Sequence, residues 1–120
     1  MKKKTLVLGA SLNPSRYSHM AINRLVQNEQ PVVALGLREG KVAGVSIDTG
    51  KPAYEDVHTV TLYLNATRQE EYYDYIENLK PERVIFNPGT ENPFFAKKLQ
   101  AAGIEPDYAC TLVLLGTNSY

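Results

Sequence analysis

Near the start of the chain an apolar run stops at a glycine and gives way to small, polar residues: Thr5–Leu6–Val7–Leu8–Gly9–Ala10–Ser11–Leu12–Asn13–Pro14–Ser15–Arg16. Leu6, Val7 and Leu8 form an unbroken apolar triplet, the pattern of a parallel strand covered on both faces. Gly9, Ala10 and Ser11 carry almost no side chain, so a phosphate can come close to their backbone N–H groups. Asn13, Ser15 and Ser18 are candidate helix caps, and Pro14 stiffens the turn. A helix starting here offers unpaired N–H groups and the positive end of its dipole to an anion, and Arg16 adds a full charge. The three-glycine dinucleotide fingerprint is incomplete, because Ser11 and Pro14 stand where its second and third glycines belong. A junction of this kind also serves as a plain tight turn in many α/β proteins.

The alternation continues down the chain. A helix is expected from Ser15 or Ser18 to Asn28, with Ala21, Ile22, Leu25 and Val26 as its apolar stripe. Pro31–Leu35 reads as a second buried strand, which completes a β-α-β unit. In dinucleotide-binding folds an acidic residue after this strand receives the ribose 2′-hydroxyl. Here the first charge is Arg38, with Lys41 close behind, which favours a ligand with an extra phosphate near its adenosine ribose, such as NADP or coenzyme A. Loop-surface charges are the plainer reading of the same two residues.

Val42–Val45 is a candidate short edge strand, Asp48–Pro52 a turn, and Val57–Leu64 a strand of β-branched composition. Thr67–Arg68–Gln69–Glu70 has the form of a capping box. Tyr72, Tyr75, Ile76 and Leu79 then share one helical face, a pattern read as packing in preference to an aromatic ligand platform. After Pro81 come the strand Arg83–Phe86 and the compact loop Asn87–Pro88–Gly89–Thr90. Asn92–Pro93 opens another helix, with Phe95, Leu99 and Ala102 as its buried face and Gly103 as its stop. A short strand within Ile104–Ala109 is weakened by Pro106 and so belongs at a sheet edge. Cys110–Leu115 fits either a helix or a strand.

Alternating strands and helices predict a Rossmann-like, doubly wound α/β fold with a mainly parallel sheet of five or six strands and helices on both faces, as one domain over residues 1–120. In such a fold the loops at the carboxyl ends of the strands gather at the switch point: Gly9 to Arg16, Gly36 to Lys41, Asn65 to Arg68, and Asn87 to Thr90. Lysine plus arginine and aspartate plus glutamate each total 13, so no overall basic field argues for nucleic acid or an anionic membrane. No apolar stretch nears the roughly 20 residues of a membrane span, and Lys2–Lys4 is not followed by a cleavage pattern. With Cys110 the sole cysteine, these features point to a cytoplasmic protein. Cys110 alone reads as a small buried residue, His19 as an exposed helix residue, and His58 as lying where a strand begins. They show no metal or Cys–His spacing.

The opening loop resembles that of small bacterial CoA-binding domain proteins, relatives of the amino-terminal domain of the succinyl-CoA synthetase alpha subunit. That family carries a G-A-S-x-N-P-x-R-like loop in place of the three glycines. The similarity extends through Asn87–Asn92, Gly103–Ile104–Glu105 and Cys110, while Gly36–Leu37–Arg38 departs from the Asn-Pro often found after the family's second strand. The resemblance implies a Rossmann-like domain that binds coenzyme A or an acyl-CoA. Gly9, Ala10, Ser11, Asn13, Pro14, Ser15 and Arg16 would form the pyrophosphate loop. Arg38 and Lys41 would lie towards the 3′-phosphate and adenosine end, and Asn65, Asn87 and Gly89 would line the crevice. In the synthetase, the phosphorylated histidine and the ATP-handling partner lie outside this domain. The expectation is therefore a stand-alone nucleotide-binding module without catalytic residues of its own, whose protein partner, if any, is unspecified. An NADP-binding reductase or sensor, and an interaction domain with an empty nucleotide site, are the alternatives.

Overall fold

The computed structural model describes residues 2–120. Among these residues seven strands form one sheet: β1 (Thr5–Ala10), β2 (Val32–Gly36), β3 (Gly40–Val42), β4 (Val45–Asp48), β5 (Thr59–Leu62), β6 (Arg83–Phe86) and β7 (Glu105–Tyr108). Their order is β3-β4-β2-β1-β5-β6-β7. Every neighbouring pair is parallel except β3 with β4. The helices are α1 (Tyr17–Gln27), α2 (Ala66–Gln69), α3 (Tyr73–Leu79), α4 (Pro93–Ala101) and α5 (Thr111–Gly116), with a 3₁₀ turn at Glu70–Tyr72 between α2 and α3.

β1 is central, and Leu6, Val7 and Leu8 are wholly buried. Because side chains alternate along a strand, they divide between two cores. Leu6 and Leu8 join Ile76 of α3 and Phe95 and Leu99 of α4 on one face. Val7 meets Ile22 and Leu25 of α1 and Leu115 of α5 on the other. The helices thus cover both faces, and the doubly wound α/β architecture is as the sequence implies.

The strand count is seven where five or six were expected. The additional strand comes from Val42–Val45, read as a single edge strand but forming the turn of a hairpin. Ala43 and Gly44 both have positive φ, 51° and 81°, the geometry of a two-residue turn matched to strand twist. Alanine at the first turn position hides that signal. The Thr67–Glu70 capping box is also corrected. The cap is Asn65, whose Oδ1 accepts the Arg68 N–H at 2.9 Å, so the helix starts two residues sooner and then tightens into the 3₁₀ turn. Ala102 is exposed and ends α4 as its C-cap. Cys110–Leu115 resolves as the N-cap and body of α5, and Cys110 is half-buried rather than buried. No helix among the described residues is long and apolar enough to cross a membrane.

Asn87, just past β6, ties three elements together. Its Nδ2 donates to Thr61 Oγ1 at 2.7 Å and to the Leu62 carbonyl at 2.8 Å, while its Oδ1 accepts the Thr111 N–H at 2.9 Å. Asn87→Ala strands a buried main-chain N–H at the start of α5 and is expected to cost about 2–3 kcal/mol, readable as a lower urea midpoint at unchanged slope.

At the opposite end of the sheet His58 lies beside Thr59 Oγ1 at 2.7 Å and 3.5 Å from the Glu82 carboxylate. Burial holds its pKa below the usual 6.5, opposed by Glu82 and reinforced by Arg83 and Lys3. The unfolded chain therefore takes up this proton first as the pH falls. The stability His58 preserves is complete above about pH 6.5 and declines below it until the folded imidazole is itself protonated. His58→Gln should flatten that part of the urea-midpoint profile between about pH 7.5 and 5.

Candidate functional site

β1 is flanked by β2 on one side and β5 on the other, and the chain leaves these strands in opposite directions. At their carboxyl ends lies a cleft of about 570 Å³. Its existence depends on close main-chain contacts. Gly9 has φ +95°, and a Cβ there would fall 3.0 Å from the Tyr63 carbonyl beyond β5. The β1–β2 register shifts at this residue. A Cβ on Gly36 would fall 2.4 Å from the Ala10 carbonyl oxygen.

The loop after β1 holds its shape through its own polar groups. Ser11 Oγ accepts the Asn13 N–H at 3.1 Å, and Asn13 Oδ1 accepts the Ser15 N–H at 3.0 Å and the Ser15 hydroxyl at 2.8 Å. The Asn13 carbonyl accepts the Arg16 N–H at 3.0 Å. Asn13 is thus a turn former and not a cap, Ser15 donates to it, and Ser18 lies inside α1. The N-cap of α1 is Arg16, in an extended conformation and with no side-chain cap. No acidic residue stands in its first turn either, so no side chain meets the positive end of the α1 dipole. His19 is half-buried, contrary to its reading as an exposed residue, and its Nδ1–H donates to the Ser11 carbonyl at 3.1 Å.

Of the residues singled out in the sequence, Gly9, Ala10, Ser11, Asn13, Arg16, Arg38, Asn65 and Gly89 line the cleft. Pro14 and Ser15 shape the loop outside that lining. Lys41 is exposed on β3, on the strand paired with β4, and Asn87 is buried with its amide committed as above. The Gly89 N–H is occupied by the Glu91 carboxylate, at 3.0 and 3.2 Å from the two oxygens.

Leu37 and Arg68 fell within the loops expected at the switch point and Tyr72 was weighed as a ligand platform, but none was singled out as a site residue; with Tyr63 they also line the cleft. Arg68 and Tyr72 stand four apart in a helical stretch, a spacing that shares one face; the packing explanation of Tyr72 concealed it. Burial pushes the Tyr63 phenol up to about 12, against the lowering effect of Thr61 and Thr111, so it stays protonated at neutral pH. Burial likewise raises Tyr72.

The electrostatics are one-sided. Arg16, Arg38 and Arg68 line the cleft, and among the described residues no carboxylate does. None of the three is in an ion pair among the described residues. In a chain whose charges cancel, three guanidinium groups on one concavity create a local field for a polyanion.

Fold and site together define a Rossmann-like domain with an arginine-lined switch-point crevice. The chain belongs to the CoA binding domain family, whose profile matches residues 3–116. An uncharacterized protein of known crystal structure is 44% identical, with all of this chain and 99% of that one covered, at a TM-score of 0.97. A Thermus thermophilus protein is 21% identical over 99% of this chain and 91% of its own, at a TM-score of 0.87. The dinucleotide-forming acetyl-coenzyme A synthetase 1 of Candidatus Korarchaeum cryptofilum shares the fold at 12% identity and a TM-score of 0.70; 91% of this chain matches 26% of that one. No curated protein matches this sequence.

Gly36→Ala drives a methyl into the Ala10 carbonyl and is expected to destabilise the protein by about 2 kcal/mol or more. The check is chemical denaturation beside Gly44→Ala, where a Cβ meets nothing within 4 Å; the cost at Gly44 comes only from its positive φ.

Proposed function

We propose that the protein binds coenzyme A or an acyl-CoA in the switch-point cleft. The observation that carries the reading is the carboxylate-free cleft, with Arg16, Arg38 and Arg68 lining it beside the uncapped start of α1. Membership of the CoA binding domain family supports the ligand class.

In this reading the pyrophosphate is held by the main chain around Ser11, by the first N–H groups of α1 and by Arg16. Small residues at Gly9 and Ala10 allow the approach, while Asn13 and Ser15 keep the loop open by bonding to each other. Asn65 caps α2 with its side chain and contributes the β5 wall. Lys41 and Asn87 do not belong to the binding set. Lys41 sits on the hairpin strand, and Asn87 supports the loop carrying Gly89.

Isothermal titration calorimetry with CoA and acetyl-CoA, paired with thermal melts, tests the reading. Binding of either with a higher melting temperature is expected, and Arg16→Ala should weaken it by about tenfold, the worth of one charge-assisted contact to phosphate. Absence of both heat and stabilisation would overturn the proposal, and a response to NADPH alone would transfer the site to the NADP alternative.

A further inference from the structure

A second, smaller hollow of about 190 Å³ adjoins the cleft at the carboxyl end of β7, and Pro88 is a wall of both. Phe86, Glu91, Tyr108, Ala109 and Cys110 complete its lining.

The two cavities differ in chemistry. No arginine or lysine lines the hollow among the described residues, and Glu91 is its one charged wall. Phe86 is almost wholly buried, and the Tyr108 ring meets it edge-on at 5.3 Å while leaving 53% of its own surface to solvent. The polar main chain around the hollow is already paired. The Ala109 N–H donates to the Phe86 carbonyl at 3.3 Å, and the Leu114 N–H to the Cys110 carbonyl at 2.9 Å. The Gly89 N–H, next in the chain to the shared Pro88, is taken by Glu91. A polar group entering here finds no free partner and loses its water, whereas an apolar group gains by covering the aromatic wall.

Strand order sets the distance of this hollow from the loop after β1. β1, β5, β6 and β7 are successive neighbours, and strands lie about 4.8 Å apart, so the end of β7 is about 14 Å along the sheet edge from the end of β1. The arm of CoA from pyrophosphate to sulfur runs through about twelve bonds, as many as four extended residues, and so also spans about 14 Å.

We infer that the hollow receives the acyl group of an acyl-CoA, and that a short, uncharged chain is the group it fits. With the pyrophosphate at the loop after β1 and the arm laid towards β7, the thioester comes to Pro88 and its acyl chain lies against Phe86, Tyr108 and Ala109. A volume of about 190 Å³ holds roughly six water-sized groups, which limits the chain to about six carbons. Glu91 disfavours an acyl group that ends in a carboxylate. The inference rests on the CoA reading and deepens it, since it names the class of thioester.

Titration calorimetry with CoA, butyryl-CoA and succinyl-CoA on the wild type, Ala109→Leu, Tyr108→Ala and Glu91→Gln tests it, with thermal melts to check folding. The wild type should bind butyryl-CoA about tenfold more tightly than CoA, the worth of about two buried methylenes. Ala109→Leu, which fills the hollow, should abolish that ratio, and Tyr108→Ala, which removes a wall, should lower it to about threefold. Succinyl-CoA should bind the wild type about tenfold more weakly than butyryl-CoA. Glu91→Gln, which keeps an oxygen for the Gly89 N–H, should narrow this gap to about threefold. Three results would each overturn the inference and leave the CoA reading standing: CoA binding with no gain for butyryl-CoA, a gain untouched by both Ala109→Leu and Tyr108→Ala, or succinyl-CoA bound as tightly as butyryl-CoA. Failure of the wild type to bind any of the three ligands would overturn both.

Discussion

The crevice depends on how closely three main chains meet at the carboxyl end of the central strand. Gly9 lies against the Tyr63 carbonyl on one side, and the Ala10 carbonyl lies against Gly36 on the other. Side chains at either glycine would force the strands apart before they diverge. The polar loop from Ser11 to Arg16 emerges from this narrow junction, and α1 begins with its first amides uncapped. The shape of the crevice is thus a consequence of sheet packing. A loop grafted on a looser sheet would not hold the helix start and the β5 wall at a fixed separation.

Charge is arranged with the same economy. A chain with equal numbers of acidic and basic residues gains no steering from its net charge, yet the cleft is lined by arginines alone among the charged types. The Glu91 carboxylate, beside the lining residue Gly89, is engaged with that residue's N–H. Attraction is therefore confined to the cleft, where low-dielectric walls strengthen it.

Much of this was legible in the sequence because it rests on local rules. The triplet Leu6–Leu8, Ala21, Ile22 and Leu25 of the α1 stripe (its fourth member, Val26, is exposed) and the Asn92–Pro93 helix start, whose Asn92 Oδ1 accepts the Phe95 N–H, all obey periodicity or capping. What escaped depended on choices between equivalent local signals or on distant contacts. Thr67 looked like the cap, and Asn65, read as a crevice residue, is the one that caps α2. The hairpin at Ala43–Gly44 needed positive φ at an alanine. Asn87 resembled a crevice amide, but its partners, Thr61, Leu62 and Thr111, are 24 to 26 positions away. Arg68 looked like part of a capping box and Tyr72 like packing, and only the folded chain brings them to one cleft with Leu37 and Arg38.

Pro106 in β7 has a consequence for how the molecule behaves in company. The Glu105 and Ala109 N–H groups point inward, to the Glu82 and Phe86 carbonyls. By the two-residue alternation of a strand, positions 106 and 108 point away from β6. Proline has no hydrogen to offer at the first of these, which leaves the Tyr108 amide as the one outward strand donor along this margin. A stray chain aligned along β7 therefore finds one amide donor where an unbroken strand would offer two, which makes this margin a poorer template for further pairing.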